Sequence, residues 1–550
     1  MKNKINRSYV QAFTGFFQSP FLATLLLAMA IILNVHTSYA GNATWNLNPV
    51  SGDWNTAANW TPATVPNGPS DIATFGVSNS TAVSLSDFIE VNNIIFEPGA
   101  SAYTITSDPA GTFSLLTISG VGITNSSGIV QSLVCDTDIA GGQGAITFTT
   151  SASAGSLTVF TNRANPIVGK DSGDTDFVDA SSAGNATFVN KGAVISGGSA
   201  GSTRFFFNST ASNGTFTNNG GVVSGAVGGV IFFLGGSTAS NGTFTTNGGA
   251  VSGATGGVIV FFDTSHAGNA TLIANDGVDG AGGGVIQFQS GTRGDTARVE
   301  LFGNGSLDIS FHRSQGVTVG SIEGGGSVFL GSRILVVGSN NLSTTFSGVI
   351  QDGTGGTGGS LTKIGKGKLT LSNASTHTGG TTISKGALIV KNKTGSATGT
   401  GPVQVNLGTL QGVGKISGAV TVGTGTTSGA ILLAGNNATS PGILTINNTL
   451  TFNSLSTYQC VLNRTKGKAS TLTALGVTIN SGATFTFTDT GTGTLTTGTI
   501  FKVINNTSAN PIFGTFSNLP NGSTFASNGN NFQVSYTGGT GNDLTLTVVP

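Results

Sequence analysis

The chain has 550 residues with 22 basic and 22 acidic side chains, so charged residues make up only 8 % of it, against about a quarter in ordinary globular proteins. This balance excludes a basic patch for nucleic-acid phosphates and a polybasic segment for anionic lipid. The two cysteines, Cys135 and Cys460, exclude a disulfide scaffold, and we expect both to be buried small hydrophobic residues.

Residues 1–40 are a predicted targeting segment. Basic residues among the first seven precede the apolar run Phe21–Leu33, and a small-x-small cleavage site follows at Ser38–Ala40. The run is shorter than the roughly 20 residues that cross a bilayer, which favours a cleaved signal peptide over the alternative, an uncleaved anchor. We therefore expect a secreted or outer cell-surface protein with no transmembrane span after signal removal.

The remaining chain has the pattern of an all-β protein. Apolar residues alternate with Thr or Ser in short runs such as Leu369–Leu371, Thr484–Phe487 and Leu544–Val548. Alternation at period two indicates strands, and Thr and Phe suit a pleated surface. The 87 glycines lie between these runs without the three-residue spacing of collagen, so they indicate turns.

Residues 41–180 are predicted to form an N-terminal cap and the first rungs of a stack. Trp45, Trp54 and Trp60 lie in the opening part of this segment. A stack exposes its end to water and to strand pairing, so its terminal unit is expected to differ from the middle. We interpret the tryptophans as cap residues, and the alternative is an exposed platform that stacks on carbohydrate.

The acidic cluster Asp171, Asp174, Asp176 and Asp179 follows near the end of this segment. Its carboxylates could supply oxygen ligands to calcium, although the spacing matches no known calcium loop. The alternative is a solvated turn between the N-terminal region and the repeats. Apart from this candidate calcium site, the sequence indicates no cofactor.

Residues 181–320 are built from a 28-residue repeat, and a worn fifth unit begins near Ala297. Asparagine recurs at this interval, at Asn185, Asn213, Asn241 and Asn269. An apolar residue recurs with it, at Phe188, Phe216, Phe244 and Leu272. A period of this size predicts stacked coils of a solenoid. We expect the asparagines to form a hydrogen-bonded ladder at left-handed corners, and the apolar set to stack inside.

Residues 321–358 are predicted to form irregular rungs that end in a Gly-rich joint, and 413–550 to form the last rungs and a C-terminal cap. The segment 359–412 between them reads Gly-x-Leu-x-Leu, a polar turn, Thr-Gly-Gly-Thr-Thr-Ile and Gly-x-Leu-x-Val. The pattern is carried by Gly367, Leu369, Leu371, Thr378, Gly379, Gly380, Thr381, Thr382, Ile383, Gly386 and Leu388. This segment resembles the autotransporter-associated β-strand repeat of bacterial autotransporter passengers.

The resemblance implies a right-handed parallel β-helix with atypical caps and a structural or adhesive role at the bacterial cell surface. Its ligand would be an unidentified surface component, such as a glycan or the surface of a host or neighbouring cell. Such passengers normally precede a β-barrel translocator, but the closing residues 536–550 show no run of membrane strands, so we expect no translocator in this chain.

The sequence predicts no catalytic site. A carbohydrate-binding or carbohydrate-active β-helix is the alternative, because a solenoid can bring distant rungs together. Lyase or hydrolase chemistry needs carboxylates gathered in one groove, whereas the four glutamates are scattered along the chain. Two carboxylates within about 10 Å in a groove would favour an enzyme. An array of threonines that binds an ordered surface such as ice is a third option.

Overall fold

The computed structural model describes residues 41–110, 112–313 and 315–550, so the predicted signal segment 1–40 lies outside the described residues. The described residues form 48 strands and two short 3₁₀ helices, Ala57–Asn59 and Val278–Gly280, with no α-helix among them. No helix in this part of the chain has the length and apolar character that a membrane crossing requires. The all-β expectation is confirmed.

The strands belong to four sheets, numbered here along the chain. Sheet 1 contains Ala43–Trp45, Trp60–Thr61, Gly68–Phe75, Phe88–Phe96, Phe113–Asn125, Gln143–Phe148, Asp174–Phe177, Ser202–Phe205, Val230–Phe233, Val258–Phe261, Val285–Phe288, Ser306–Asp308, Ser327–Phe329 and Val349–Gln351. Sheet 2 contains Ala82–Leu85, Thr104–Ser107, Gln131–Cys135, Ser156–Asn162, Asn185–Asn190, Thr215–Asn218, Thr243–Thr246, Thr271–Ala274, Arg298–Leu301, Ser321–Gly324, Thr344–Phe346, Lys368–Leu371, Ala387–Val390, Gly408–Gly412, Ala430–Asn437, Ser440–Pro441, Thr457–Asn463, Lys468–Ala469 and Thr484–Thr490.

Two further sheets form in the C-terminal half of the chain. Sheet 3 contains Gly316–Val319, Ile334–Val337, Ser360–Lys363, Thr381–Ile383, Val403–Val405, Val420–Val422, Leu450–Phe452 and Val477–Ile479. Sheet 4 contains Lys415–Ile416, Ile443–Ile446, Thr471–Ala474, Ile500–Asn506, Thr524–Ser527, Asn530–Gly538 and Asp543–Val549.

The chain winds as a parallel β-helix. As far as Gln351 each turn contributes one strand to sheet 2 and one to sheet 1, and later turns contribute strands to sheets 2, 3 and 4. In the repeat region Phe188 lies beside Phe216, and Phe216 beside Phe244, so neighbouring strands differ by one 28-residue unit. A third ladder of single parallel bridges, from Ser153 to Arg293, joins the turns that follow sheet 1. The β-helix predicted from the period is confirmed.

Two columns of stacked phenylalanines fill the interior of the repeat region. In sheet 2 the rings of Phe188 and Phe216 stack with centroids 4.7 Å apart. In sheet 1 the rings of Phe205 and Phe233 stack at 4.8 Å. The columns meet edge to face, as in the 5.7 Å pair of Phe205 and Phe216. This is a favourable aromatic geometry, and it recurs because the strand register repeats each side chain one rung on.

The coils shorten after the repeats. Val258 pairs with Val285, which lies nearly one full repeat further along the chain, whereas Val285 pairs with Ser306, which lies well short of one. Sheet 3 begins at Gly316–Val319, and sheet 1 ends at Val349–Gln351. The pairing of sheet 3 continues across the Gly-rich segment 353–359, since Leu335 lies beside Leu361.

Antiparallel strands close the two ends of the stack. At the N-terminus Trp60–Thr61 pairs antiparallel with Ala43–Trp45. At the C-terminus Asn530–Gly538 pairs antiparallel with both Thr524–Ser527 and Asp543–Val549. Reversing the strand direction prevents another parallel coil from adding, which protects the open sheet edges.

Candidate functional site

Chemically active side chains gather on the outer face of sheet 1. Alternate residues of its strands, such as Phe205 and Leu307, point into the core and are fully buried. The residues between them point outward, and one per coil shares the same register. This row, called the outer column here, comprises Asp176, Arg204, Phe232, Val260, Gln287, Asp308, Phe329 and Gln351.

A buried ion cluster occupies the N-terminal end of the outer column. The Arg204 guanidinium donates from Nε to Asp176 Oδ1 at 2.7 Å and from Nη2 to Asp176 Oδ2 at 2.8 Å. The same Nη2 lies 2.9 Å from Asp174 Oδ2. Gln143 and Ser202 also donate to Asp174, at 2.6 and 2.5 Å. Each of the three charged side chains is at most 8 % exposed, so the cluster is shielded from water.

The cluster holds two carboxyl groups for one guanidinium. Burial raises the pKa of Asp174 to about 6, an effect that Arg204 partly offsets and the neighbouring Asp176 reinforces. Burial alone would lower the pKa of Arg204, but the carboxylates of Asp174 and Asp176 raise it above its ordinary value. Arg204 therefore stays charged, and Asp174 is the group that accepts a proton on mild acidification.

The four aspartates that were candidate calcium ligands do not come together as one cluster among the described residues. Asp174 and Asp176 bind the Arg204 guanidinium, so their negative charges are paired with an arginine and not with a metal ion. Asp171 is exposed, and Asp179 accepts a hydrogen bond from Thr149 Oγ1 at 2.7 Å. No group of three or more His, Cys, Asp or Glu among the described residues is arranged to hold a metal ion. The alternative of a solvated turn is wrong for Asp174 and Asp176, which lie in a buried strand.

A groove of about 340 Å³ follows the C-terminal half of the outer column. One side is the sheet face with Gln287, Asp308, Phe329 and Gln351, and the other includes the loop at residues 280–283. Val258 and Val285 add apolar surface beside the column. Among the described lining residues Asp308 carries the only formal charge. The groove therefore combines amides, one carboxyl group and an aromatic ring.

Asp308 is 7 % exposed and lies against this groove. Its Oδ1 accepts hydrogen bonds from the Ser310 backbone N–H at 2.9 Å and from Ser310 Oγ at 2.6 Å. Burial raises the pKa of Asp308, although the two bonds from Ser310 lower it in part. Its Oδ2 accepts no hydrogen bond from the described residues and is not sealed from solvent.

Two pairs of carboxyl groups come close together among the described residues. Asp174 and Asp176 share Arg204 and are buried. Glu300 and Glu323 are adjacent in register on sheet 2, and both lie against Arg298 Nε. Each pair binds an arginine and neither lines the groove, which contains no second carboxyl group beside Asp308 among its described lining residues. That the chain is not an enzyme stays a prediction.

The tryptophans pack inside the N-terminal cap. Trp45, Trp54 and Trp60 are at most 2 % exposed. Trp60 lies 5.0 Å from Trp45 and 4.9 Å from Trp54, in edge-to-face contact with both. Each indole N–H donates to a backbone carbonyl, as Trp60 does to Trp54 at 2.7 Å. The alternative of a carbohydrate platform is wrong, because no ring face is open to a sugar.

The asparagines of the 28-residue repeat form a ladder on the outside of sheet 2. Asn213 donates to Asn185 at 3.1 Å, Asn241 to Asn213 at 3.2 Å, and Asn269 to Asn241 at 3.1 Å. The asparagines themselves do not take the left-handed backbone that was expected of them. The preceding residues do, with φ between 50° and 59° at Gly184, Ser212, Ser240 and Gly268.

A second asparagine ladder, inside the stack, was not foreseen. Asn162 donates to Asn190 at 2.7 Å, and Asn190 to Asn218 at 2.8 Å, with all three residues fully buried. They bridge the two sheets, because each also donates to a backbone carbonyl of sheet 1. These asparagines share the 28-residue interval of the outer ladder, and that spacing was the signal that could have revealed them.

Sequence reasoning also missed Arg204, Asp308 and Phe329. Arg204 follows Asp176 by one 28-residue unit, so extending the period beyond the corner residues would have paired the two charges. Asp308 and Phe329 lie in the shortened coils, where no fixed period points to their alignment.

Comparison with known proteins identifies one segment. The family model described as the passenger-associated-transport-repeat matches residues 361–390. This confirms the repeat predicted there. No curated protein matches the chain. The crystal structure of the Haemophilus influenzae Hap adhesin is similar over 87 % of this chain and 58 % of that one, with 11 % identity and a TM-score of 0.29. The chain therefore spans little more than half of the Hap adhesin.

Proposed function

We propose that this protein is a cell-surface or secreted adhesin-like β-solenoid that presents the long flanks of its stack to other surfaces. The observation that carries the proposal is the passenger-associated repeat at 361–390, which lies within an unbroken series of parallel coils. A passenger repeat is typical of exported surface proteins, and the proposal extends that setting to this chain.

The uncharged repeating side chains of the stack support a role in contact with other surfaces. Its repeating side chains are Asn, Thr and Phe, which serve the ladders and the core. On the outside of sheet 2, Thr187, Thr215, Thr243 and Thr271 share one register beside the exposed asparagines. Such a face is uncharged and regular, so it can approach another surface without electrostatic repulsion.

Surface exposure can be tested by cysteine labelling on intact cells. Both native cysteines are fully buried, which makes the wild-type chain an unlabelled background. The Thr427→Cys variant places a thiol in an exposed loop, and Val405→Cys places one in the core as a matched control. We expect a large, membrane-impermeant maleimide to label T427C on intact cells of the native host, and V405C only after denaturation.

Adhesion is measured separately, by comparing attachment of the host strain with that of a strain lacking the chain. Labelling of T427C only after cell lysis would overturn the surface location. Unchanged attachment to every abiotic and cellular surface tried would overturn the adhesive role while leaving the location intact.

A further inference from the structure

We propose that the groove along the C-terminal half of the outer column binds a neutral polysaccharide chain. Gln287, Asp308 and Gln351 would bind sugar hydroxyls, and Phe329 would pack on an apolar sugar face. This inference names a ligand class for the adhesive function proposed above and rests on that function for its biological setting.

The carboxyl group of Asp308 sets the chemistry of the groove. One of its oxygens is satisfied by Ser310, and the other faces the groove without a donor from the described residues. A ligand that covered this oxygen without donating to it would leave a costly buried polar atom, so the groove favours a ligand with O–H donors. No described lining residue is a Lys, Arg or His. An acidic sugar would thus meet a like charge with no compensating cation, and the complementary ligand is neutral.

Two glutamines flank Asp308 with amide groups. Gln287, one rung before Asp308, accepts a hydrogen bond from Gln289 Nε2 at 2.9 Å, which leaves its own amide nitrogen for a ligand. Gln351, two rungs after Asp308, makes no side-chain hydrogen bond to a described residue. An amide carries both donors and an acceptor, so the pair can bind hydroxyls on either side of the carboxyl group.

Phe329 supplies the apolar part of the site. It lies between Asp308 and Gln351 in the outer column. Gly353 lies beside its ring, where an added Cβ would approach Phe329 Cδ1 to 2.8 Å, so the glycine is needed for the ring to keep its place. An aromatic ring beside hydroxyl-binding groups suits a sugar, which has an apolar face and a polar rim.

The spacing of these groups favours a polymer over a single sugar. Adjacent rungs lie about 4.8 Å apart, and the amide, carboxyl, aromatic and amide side chains occupy four successive rungs. The site therefore extends along the helix axis and can contact several residues of one polysaccharide. Hydrolysis is not inferred, because glycosidases use two carboxyl groups and the described lining supplies one.

The test is biolayer interferometry of the protein purified from its native host against immobilised polysaccharides. The neutral probes are glucomannan, xyloglucan and galactomannan, and polygalacturonate is the acidic probe. We expect at least one neutral probe to bind and polygalacturonate to bind at least tenfold more weakly. Asp308→Asn keeps the shape and the acceptor for Ser310 but replaces Oδ2 with a donor, so we expect at least a tenfold loss of affinity.

The second and third variants are Phe329→Ala and Gln351→Ala. The matched control is Asp87→Asn, because Asp87 is exposed and lies in the N-terminal region, away from the groove. Circular dichroism of each variant checks the fold, and Q351A changes an outward side chain that the core does not need. Absence of binding to every neutral probe, preference for polygalacturonate, or wild-type affinity in D308N and Q351A would each overturn the inference. A chain that binds glucomannan in vitro but is not labelled on intact cells would instead overturn the surface function, so the two failures are distinguishable.

Discussion

At the scale of the residue, the stack converts a long sequence separation into direct contact. Asp176 and Arg204 share one register on adjacent strands, and the guanidinium binds that carboxylate through two nitrogens. Removing such charges from water costs several kcal/mol, which only close pairing offsets. Arg suits this place better than Lys, because its planar fork matches a carboxylate and still reaches Asp174.

The surplus carboxyl group in this cluster predicts a pH-dependent stability. The pKa of Asp174 is raised from its ordinary value of 3.8 to about 6 in the folded chain. Between these values the folded state binds more protons than the unfolded state, so stability falls as pH rises from 4 to 6. The loss predicted from this shift is about 3 kcal/mol. The measurement is the urea midpoint of unfolding, followed by circular dichroism from pH 4 to 7.5.

Asp174→Asn removes the titrating group and should flatten this profile between pH 4 and 6. It should also raise the urea midpoint at pH 7.5, because one guanidinium then faces one carboxylate. Asp87→Asn, which changes an exposed carboxyl group, is the control and should keep the wild-type slope. An identical slope in wild type and D174N would show that Asp174 does not titrate in this range.

At the scale of the element, two asparagine ladders with the same 28-residue period contribute to stability in different ways. In the exposed ladder, Asn213 exchanges hydrogen bonds with Asn185 and Asn241, and water can replace either partner. In the buried ladder, Asn190 bonds to Asn162, Asn218, Thr203 and the Val230 carbonyl. The buried amides hold sheet 1 to sheet 2, where water does not reach.

Replacing one asparagine from each ladder should separate these roles. Asn190→Ala leaves several buried polar groups without a partner, and we expect a loss of about 2–4 kcal/mol in unfolding free energy. Asn213→Ala is the matched control, the same substitution at an exposed site, and should cost no more than about 0.5 kcal/mol. Both values come from urea titrations at pH 7.5. Equal losses would contradict the assignment of the inter-sheet link to the buried ladder.

The parts of the fold that could be predicted from the sequence were those that follow from the 28-residue period. The spacing of Asn185, Asn213 and Asn241 gives the stack and the outer ladder, because parallel register repeats each residue one coil on. The site was less predictable. Asp308 and Phe329 align through shortened coils, which the period of the repeat region does not anticipate. Whether a polar side chain outside the core is exposed or shielded, as at Asp174, depends on loops whose path the spacing does not define.

At the scale of the whole molecule, the stack behaves as a one-dimensional array. Each coil of the repeat region contacts mainly the coils before and after it, so stability is close to a sum of coil and neighbour terms. The two ends differ from the middle coils, since the tryptophan cap and the C-terminal antiparallel strands protect the open sheet edges there. It follows that the number of middle coils can change without a change of fold, provided that whole coils are added or removed.

Deleting residues 219–246 tests this property. The deletion removes one whole coil and joins Asn218 to Asn247, which is the residue type that follows Asn218 in the intact chain. The phenylalanine columns and both sheets keep their register, so we expect an unchanged circular dichroism spectrum and a rod shorter by about 4.8 Å in small-angle X-ray scattering. The groove lies beyond the deletion, so its affinity for polysaccharide should also stay unchanged.

Deletion of half a coil, residues 219–232, is the control. It would join Asn218, the last residue of a sheet 2 strand, directly to Phe233, the last residue of a sheet 1 strand. This coil would then lose its turn and its sheet 1 strand, which breaks the register of the coils on either side. We therefore expect this variant to aggregate or to be digested by trypsin under conditions that leave the whole-coil deletion intact. Two equally stable deletions would show that the coils do not depend on register, whereas loss of fold in both would show that the repeats are not interchangeable units.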